Sequence, residues 1–127
     1  MVSYIDAIRF GFQKYRDFSG RSTKSEYWKW FFFVLIGALI LSIVDIRMHT
    51  YNFQTGGGLT SGLFRVVTLI PSLALGARRL HDINRTGWWQ LLLFVPLLGL
   101  IVLMILAAKD GDIGKNRYGQ DPHIFLS

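Results

Sequence analysis

The chain has 127 residues, of which 51% are hydrophobic, and its fourteen Lys and Arg against eight Asp and Glu give a formal net charge of +6. So short a soluble domain could not bury that much apolar surface, so we interpret residues 1–127 as a single membrane domain. The absence of cysteine excludes disulfides, zinc–thiolate sites and thiol nucleophiles. The basic residues lie between apolar blocks, where anionic lipid headgroups are found, so we expect no nucleic-acid partner.

The first predicted element is a short amphipathic helix within residues 3–17. Apolar side chains recur there every three or four residues, with polar and basic residues mostly on the other side. The apolar stripe consists of Tyr4, Ile5, Ile8, Phe12 and Tyr15. We predict that this helix lies in the headgroup region, although the same stripe could also pack against transmembrane helices.

The first transmembrane helix is predicted over residues 24–45. Thr23 and Glu26 have the Thr-x-x-Glu form of a capping box, which indicates that the helix begins at Lys24. An unbroken helix of that length rises roughly 30 Å, enough to cross the hydrocarbon core. A polar loop with three consecutive glycines follows at residues 46–58; no Lys-Ser/Thr follows them, so we do not interpret it as a phosphate-binding loop.

The second transmembrane helix is predicted over residues 59–83, and its last turns extend beyond the membrane on the cytosolic side. The long aliphatic side chain of Arg65 lets its guanidinium group reach the headgroup region. Pro71 predicts a kink in the helix. These features are compatible with a transmembrane helix because neighbouring helices can satisfy the backbone carbonyl that proline leaves free.

The third transmembrane helix is predicted over residues 88–108, which carry no charge. Pro96 and Gly99 predict a bend near its middle. Residues 109–127 hold several glycines and a proline, so we predict an irregular, exposed tail.

Basic residues predict the orientation of these helices. They are frequent before the first span and between the second and third, whereas the glycine-rich loop has only Arg47, so the positive-inside rule predicts a cytosolic N-terminus. With three spans the tail lies outside, yet Lys109, Lys115 and Arg117 favour the cytosol. We therefore predict an all-α membrane protein with an interfacial helix and a bundle of three transmembrane helices. A third segment that folds back at residues 96–99 remains the alternative.

This topology brings two polar motifs to one membrane surface, although they are more than fifty residues apart in the chain. The candidate residues for a lipid-headgroup site or a polar network are Arg21, Glu26, Arg78, Arg79, His81, Asp82 and Arg85. The four tryptophans begin their helices at the same depth, where indole is favoured, and we expect one belt of interfacial anchors. These anchors are Trp28, Trp30, Trp88 and Trp89.

Four ordered motifs resemble the bacterial membrane family called domain of unknown function 805. They are Gly20-Arg21-Ser22-x-x-Ser25-Glu26-Tyr27-Trp28, Ala77-Arg78-Arg79-Leu80-His81-Asp82-x-x-Arg85-x-Gly87-Trp88-Trp89, Pro96-x-x-Gly99 and Gly114-x-Asn116-Arg117-Tyr118-Gly119-x-Asp121-Pro122. The resemblance covers nearly the whole chain and implies a small multi-pass protein of the bacterial inner membrane. It adds Asn116, Arg117, Tyr118 and Asp121 as a tail motif, and it implies no activity.

His81 and Asp82 could form a proton-transfer pair or, with Glu26, part of a metal site. Adjacent helical residues point about 100° apart, so we expect Asp82 to pair with Arg78, four residues back, within a structural network. A metal needs three or four ligands, and the other histidines lie elsewhere in the chain. We therefore predict no metal and no cofactor.

The arginines offer planar forks suited to phosphate, and neighbouring indoles suit the membrane interface. We therefore predict a non-enzymatic component whose cytosolic Arg/Trp/His surface binds anionic lipid headgroups or a membrane protein partner; it could also form a homo-oligomer. One alternative is a subunit of an oligomeric transporter or channel, with Arg65, Pro71 and Ser72 lining a polar path. Another is a membrane enzyme that acts on lipid phosphate through His81 and the nearby carboxylates.

Overall fold

The computed structural model describes residues 3–122, and this part of the chain is helical. Its elements in chain order are α1 (Tyr4–Gln13), α2 (Lys24–Arg47), α3 (Leu59–Asp82), a 3₁₀ segment (Gly87–Phe94) and α4 (Leu98–Ala108). The prediction of an all-α fold is confirmed. The last five residues of the predicted tail, 123–127, lie outside the described residues.

α2 begins where the capping box predicts. The side chain of Thr23 accepts a hydrogen bond from the backbone N of Glu26 at 3.1 Å, and the helix ends at Arg47. Both α2 and α3 have 24 residues and are apolar enough to cross a membrane. Only 11% of the most apolar window of α2 is buried inside the protein, so the apolar surface of this helix requires an apolar environment outside the protein.

A buried carboxylate joins α2 to α3 at the loop end of the pair. Asp45 is 0% exposed, and its two oxygens accept hydrogen bonds from the backbone N of Thr60 at 2.9 Å and of Ser61 at 3.0 Å. The hydroxyls of Thr50, Thr60 and Ser61 also donate to it. Asp45 therefore caps the N-terminus of α3 from the neighbouring helix.

Small residues let α1 pack closely on α2. Ala7 and Gly11 are the buried residues of α1, and a Cβ at Gly11 would overlap the indole of Trp30. Trp30 is 2% exposed, and its Nε1 donates to the Ser72 hydroxyl of α3 at 3.0 Å. Four members of the predicted apolar stripe are exposed: Tyr4, Ile5, Phe12 and Tyr15.

The segment predicted as a third transmembrane helix is divided into two short helices. Leu97 has a φ of +64°, and Leu98 N donates to Pro96 O at 2.7 Å, which forms a three-residue γ-turn. Pro96 has no N–H and cannot continue a helix. α4 has 11 residues and rises roughly 17 Å, too short to cross a hydrocarbon core of about 30 Å. The predicted bend is present, and a third full span is not confirmed.

Residues 87–108 form a hairpin whose two ends lie at the same end of α3. At its start, a Cβ on Gly87 would contact Ala77 of α3. At its end, the carbonyl of Ala107 accepts a hydrogen bond from Arg79 Nε at 3.1 Å. The hairpin therefore follows α3 and returns, as in the alternative of a third segment that folds back.

Replacing Gly11 by valine is expected to destabilise the protein by about 1–3 kcal/mol, because the Trp30 indole already occupies the space of the new side chain. Gly62→Ala is the matched control, since a Cβ at Gly62 meets nothing within 4 Å. Thermal unfolding in detergent should show a lower midpoint for Gly11→Val and an equal or higher one for Gly62→Ala. An unchanged midpoint for Gly11→Val would contradict this packing of α1.

Candidate functional site

Asp82, the last residue of α3, is the centre of a buried ionic network. Its Oδ1 accepts a hydrogen bond from Arg21 Nε at 2.9 Å, and its Oδ2 accepts one from Arg79 Nη1 at 2.6 Å. The exposed fractions are 0% for Asp82, 1% for Arg79 and 8% for Arg21. Charges this deeply buried are tolerated only when partners and hydrogen bonds compensate for lost hydration. The network therefore holds the segment before α2 against the end of α3.

The same two guanidinium groups hold the segment that leaves the hairpin. Arg21 donates to the carbonyl of Gly114 at 2.6 Å. Arg79 donates to the carbonyls of Ala107 and Lys109. Ala107 lies in the last turn of α4, where helix carbonyls have no partner within the helix, and Lys109 and Gly114 lie in the irregular segment after it. Because carbonyl oxygens only accept, cationic donors are suited to this part of the chain.

Arg78 is the centre of a second part of the network, on the side of α1. Its Nε donates to the Ser22 hydroxyl at 2.9 Å, and its Nη1 donates to the carbonyls of Lys14 and Asp17 at 2.9 and 2.6 Å. Its Nη2 lies 3.9 Å from Glu26 Oε1, and neither of these two atoms makes a hydrogen bond within the described residues. Arg78 thereby ties the end of α1 and the following turn to α3.

The turn after α1 is ordered by its own side chains. Asp17 Oδ1 accepts hydrogen bonds from the backbone N and the hydroxyl of Ser19 at 3.0 and 2.6 Å, and the hydroxyl lowers the pKa of Asp17. Gly20 adopts a φ of +81°, which glycine reaches without steric cost. The carbonyl of Gly20 accepts a hydrogen bond from His81 Nδ1 at 2.8 Å, so this ring nitrogen carries a proton.

The pairing within the network differs from the sequence expectation. Asp82 contacts Arg79, three residues back, and Arg21, whereas the expected partner Arg78 reaches Glu26. The reason is tertiary: the turn before α2 presents Arg21 to one carboxylate, and α2 presents Glu26 to the other side of α3. All three arginines direct donors to groups inside the protein, which leaves them poorly placed for lipid phosphate.

The tail packs on the end of α3. Asn116 Nδ2 donates to the carbonyl of His81 at 2.9 Å, and the Tyr118 ring stacks on the His81 ring with centroids 4.0 Å apart. Asp121 is 8% exposed, and its Oδ2 accepts a hydrogen bond from Gly114 N at 3.0 Å. Residues 109–122 form no helix, as predicted, but they are docked rather than wholly exposed.

Two exposed guanidinium groups remain at the turn after α3. Asn84 has a φ of +61°, and its carbonyl accepts a hydrogen bond from Arg117 Nη2 at 3.0 Å. Arg85, the next residue, lies over the Trp89 ring at 5.2 Å. Both arginines are exposed, and the ion pairs among residues 3–122 include neither of them. The structure thus separates Arg85 from the buried candidates and brings the tail residue Arg117 to the same turn.

The four tryptophans predicted as interfacial anchors have different environments. Trp30 is core, and Trp28 Nε1 donates to the carbonyl of Ala107 at 3.3 Å. Trp88 and Trp89 are 75% and 36% exposed at the start of the hairpin. Only this second pair has the exposure expected of interfacial anchors.

Sequence reasoning did not identify Ser22, Gly111 and Asp112 as network residues. Ser22 exchanges hydrogen bonds with Arg78, Asp112 N donates to the carbonyl of Asp82 at 2.7 Å, and a Cβ at Gly111 would overlap the Asp82 carboxylate. Ser22 belongs to the first of the four family motifs, and Gly114, two residues after Asp112, begins the last. These motifs were the signal that could have identified both segments as parts of the network. Nothing in the sequence indicated that Gly111 must lack a side chain.

The geometry gives little support to either alternative function, a transporter or channel subunit or a membrane enzyme. Ser72, expected on a polar path, accepts the hydrogen bond of the Trp30 indole, and Arg65 Nη1 donates to the carbonyl of Gly56 at 3.2 Å. The His81 ring contacts Gly20 and Tyr118 instead of an orienting carboxylate. Among residues 3–122, no group of three His, Asp or Glu side chains could hold a metal ion.

Asp82→Asn is expected to destabilise the folded protein by about 3–5 kcal/mol, because it leaves two buried guanidinium groups without their counter-charge. The tail should also be released, so trypsin should cut faster after Lys115 and Arg117. Thermal unfolding in detergent and limited proteolysis measure the two effects.

Asp110→Asn is the matched control, because the Asp110 side chain is 95% exposed and its ion pair is with the half-exposed Lys24. A change of at most about 1 kcal/mol is expected there. Equal tail proteolysis in both variants would contradict a role of Asp82 in docking the tail.

Comparisons with known proteins agree with the resemblance that the four sequence motifs indicate. The family model described as "Protein of unknown function (DUF805)" matches residues 15–120. Inner membrane protein YhaI of Escherichia coli strain K12 is 40% identical over 110 residues, which cover 87% of this chain and 89% of the relative. Inner membrane protein YhaH of the same strain is 30% identical over 112 residues, with 88% and 92% coverage.

A more distant relative, the uncharacterized protein YiiR of the same strain, is 27% identical and covers 82% of this chain and 84% of its own length. No solved structure matches the chain. The matched residues include the turn before α2, the end of α3, the hairpin and most of the docked tail, so the match covers the network apart from Lys14 and Asp121 at its two ends. The chain is therefore a membrane protein that belongs to the DUF805 family.

Proposed function

We propose that this protein is a non-enzymatic component of the bacterial inner membrane that binds anionic lipid headgroups at the cytosolic surface. The binding groups are Arg85, Arg117, Trp88 and Trp89, which we call the Arg/Trp surface. One observation carries the proposal: two exposed arginines are attached to the turn that leads into an exposed apolar hairpin, Arg85 within the turn and Arg117 through its hydrogen bond to the Asn84 carbonyl. A partner with a negative charge at the membrane surface fits both features.

The electrostatic argument depends on which arginines are exposed. A basic side chain near an anionic membrane surface contributes roughly 1 kcal/mol to binding, but only if its charge is not already compensated. Arg21, Arg78 and Arg79 are buried and engaged, whereas Arg85 and Arg117 are exposed. The indoles beside them suit the depth at which headgroups meet acyl chains.

The topology proposed here has two full spans, α2 and α3, and a hairpin that enters the membrane from the cytosolic side and returns. Leu69 lies 13 residues before Asp82, which is roughly 20 Å along α3, and Leu69 and Phe94 border the same groove. The tip of the hairpin thus reaches about the middle of the membrane. This arrangement brings Lys109, Lys115 and Arg117 to the cytosol, which removes the conflict with the positive-inside rule.

α1 belongs to the same cytosolic interface in this proposal. Its small face packs on Trp30, and its exposed face combines Tyr4, Ile5 and Phe12 with the exposed Arg9. Such a face is suited to the headgroup region, where apolar side chains can enter the acyl boundary and cations remain outside.

Introduced cysteines test the topology against a background without native cysteine. Phe53→Cys, in the loop between the spans, should react in intact cells with a thiol reagent that reaches the periplasm but does not cross the inner membrane. Ile113→Cys should react only after the membrane is permeabilised. Both positions are well exposed, at 78% and 97%, so accessibility to the reagent is matched. Labelling of Ile113→Cys in intact cells would favour three full spans.

The double variant Arg85→Gln, Arg117→Gln tests headgroup binding. We expect roughly fivefold weaker retention of phosphatidylglycerol per charge removed, corresponding to about 1 kcal/mol each, with no change for phosphatidylcholine. Native mass spectrometry of the detergent-solubilised protein measures the retained lipid. Arg65→Gln is the control, because Arg65 is an exposed arginine at the other end of α3. Equally weakened retention of phosphatidylglycerol in both variants would contradict the proposed location of the site.

A further inference from the structure

An apolar groove runs between α3 and the first half of the hairpin. Its volume is about 590 Å³, within the range of sites that hold one small ligand. One wall is formed by α3 residues spaced four apart, which share a single face of the helix. In order from the depth of the membrane to its surface these are Leu69, Leu73, Ala77 and His81.

The length of this wall matches one leaflet of a bilayer. From Leu69 to His81 the helix rises roughly 18 Å, compared with about 15 Å for half of a hydrocarbon core. The opposite wall includes Leu91 and Phe94 of the 3₁₀ segment. Leu69 and Leu91 are each 54% exposed and Phe94 is 85% exposed, so the described chain leaves much of this apolar surface uncovered.

The two ends of the groove differ in polarity. The shallow end has the His81 ring and Thr86 together with the aromatic Phe18 and Trp88. Arg85 adjoins Thr86 in the chain, and Arg117 reaches the carbonyl of Asn84 beside it. The deep end is lined by leucine and phenylalanine. A ligand that matches both ends has a negative head and a long apolar tail.

We propose that this groove binds an acyl chain of a single anionic phospholipid, whose phosphate lies at Arg85 and Arg117. The inference rests on the proposed function and adds a specific site and a stoichiometry of one lipid. A transmembrane helix of a second copy, about 10 Å across, is the alternative occupant, and the test below distinguishes it from a lipid.

Filling the groove from either wall tests the proposal. The variants are Leu69→Trp from α3 and Leu91→Trp from the hairpin, each made in the full chain. Leu63→Trp is the matched control, because Leu63 is an exposed leucine of α3, 60% exposed, that does not line the groove. The probes are phosphatidylglycerol and phosphatidylcholine with identical palmitoyl and oleoyl chains, added to delipidated protein in detergent and counted by native mass spectrometry.

We expect the unmodified chain to retain one phosphatidylglycerol, and each groove variant to retain it about tenfold more weakly because the chain loses its apolar contacts. Leu63→Trp should retain phosphatidylglycerol with an affinity within about twofold of that of the unmodified chain. Thermal unfolding of each variant identifies any loss of fold; two independent walls keep the test decisive if one variant fails to fold.

Three other outcomes would overturn the inference. If the groove variants retain phosphatidylglycerol while the Arg85→Gln, Arg117→Gln variant loses it, the headgroup site stands and the groove is not occupied by its chain. If none of the variants loses the lipid, both proposals fail. If Leu69→Trp and Leu91→Trp instead convert a dimer to a monomer in size-exclusion chromatography with light scattering, the groove is covered by a second copy.

Discussion

The structure depends on the two carboxylates, Asp82 and Glu26, that are buried among three arginines at one end of α3. Neither carboxylate could remain ionised in an apolar environment alone, and none of the guanidinium groups could be buried without acceptors. Each therefore requires segments from elsewhere in the chain: the turn before α2, the end of the hairpin and the tail. Removing one charge leaves its partners uncompensated, so the polar end of the bundle forms as a unit.

This constraint also explains the hairpin. The second half of the hairpin must return to Arg79, because Ala107 and Lys109 supply the carbonyls that accept hydrogen bonds from its guanidinium group. An unbroken helix through residues 88–108 would carry these carbonyls to the opposite end of α3. The γ-turn at Pro96–Leu98 makes the reversal possible, and the non-glycine Leu97 at φ +64° shows that tertiary contacts prevail over the local preference.

The division of the arginines follows from the same geometry and underlies the proposed function. Arg21, Arg78 and Arg79 have structural roles, whereas Arg85, which lies over Trp89, and Arg117, which contacts the Asn84 carbonyl, remain exposed. In the proposed arrangement the hairpin forms one wall of the groove. A lipid there would cover apolar side chains that the protein itself leaves exposed.

The sequence by itself determined the helical class, the two long apolar helices and the capping of α2 by Thr23, because these depend on residues close together in the chain. It also predicted that the arginine, glutamate and histidine motifs meet at one end of the bundle. Only the tertiary structure decided that Arg79 rather than Arg78 contacts Asp82, that Gly111 must lack a side chain, and that residues 88–108 reverse. Those outcomes depend on contacts between segments distant in the chain, for which local spacing has no signal.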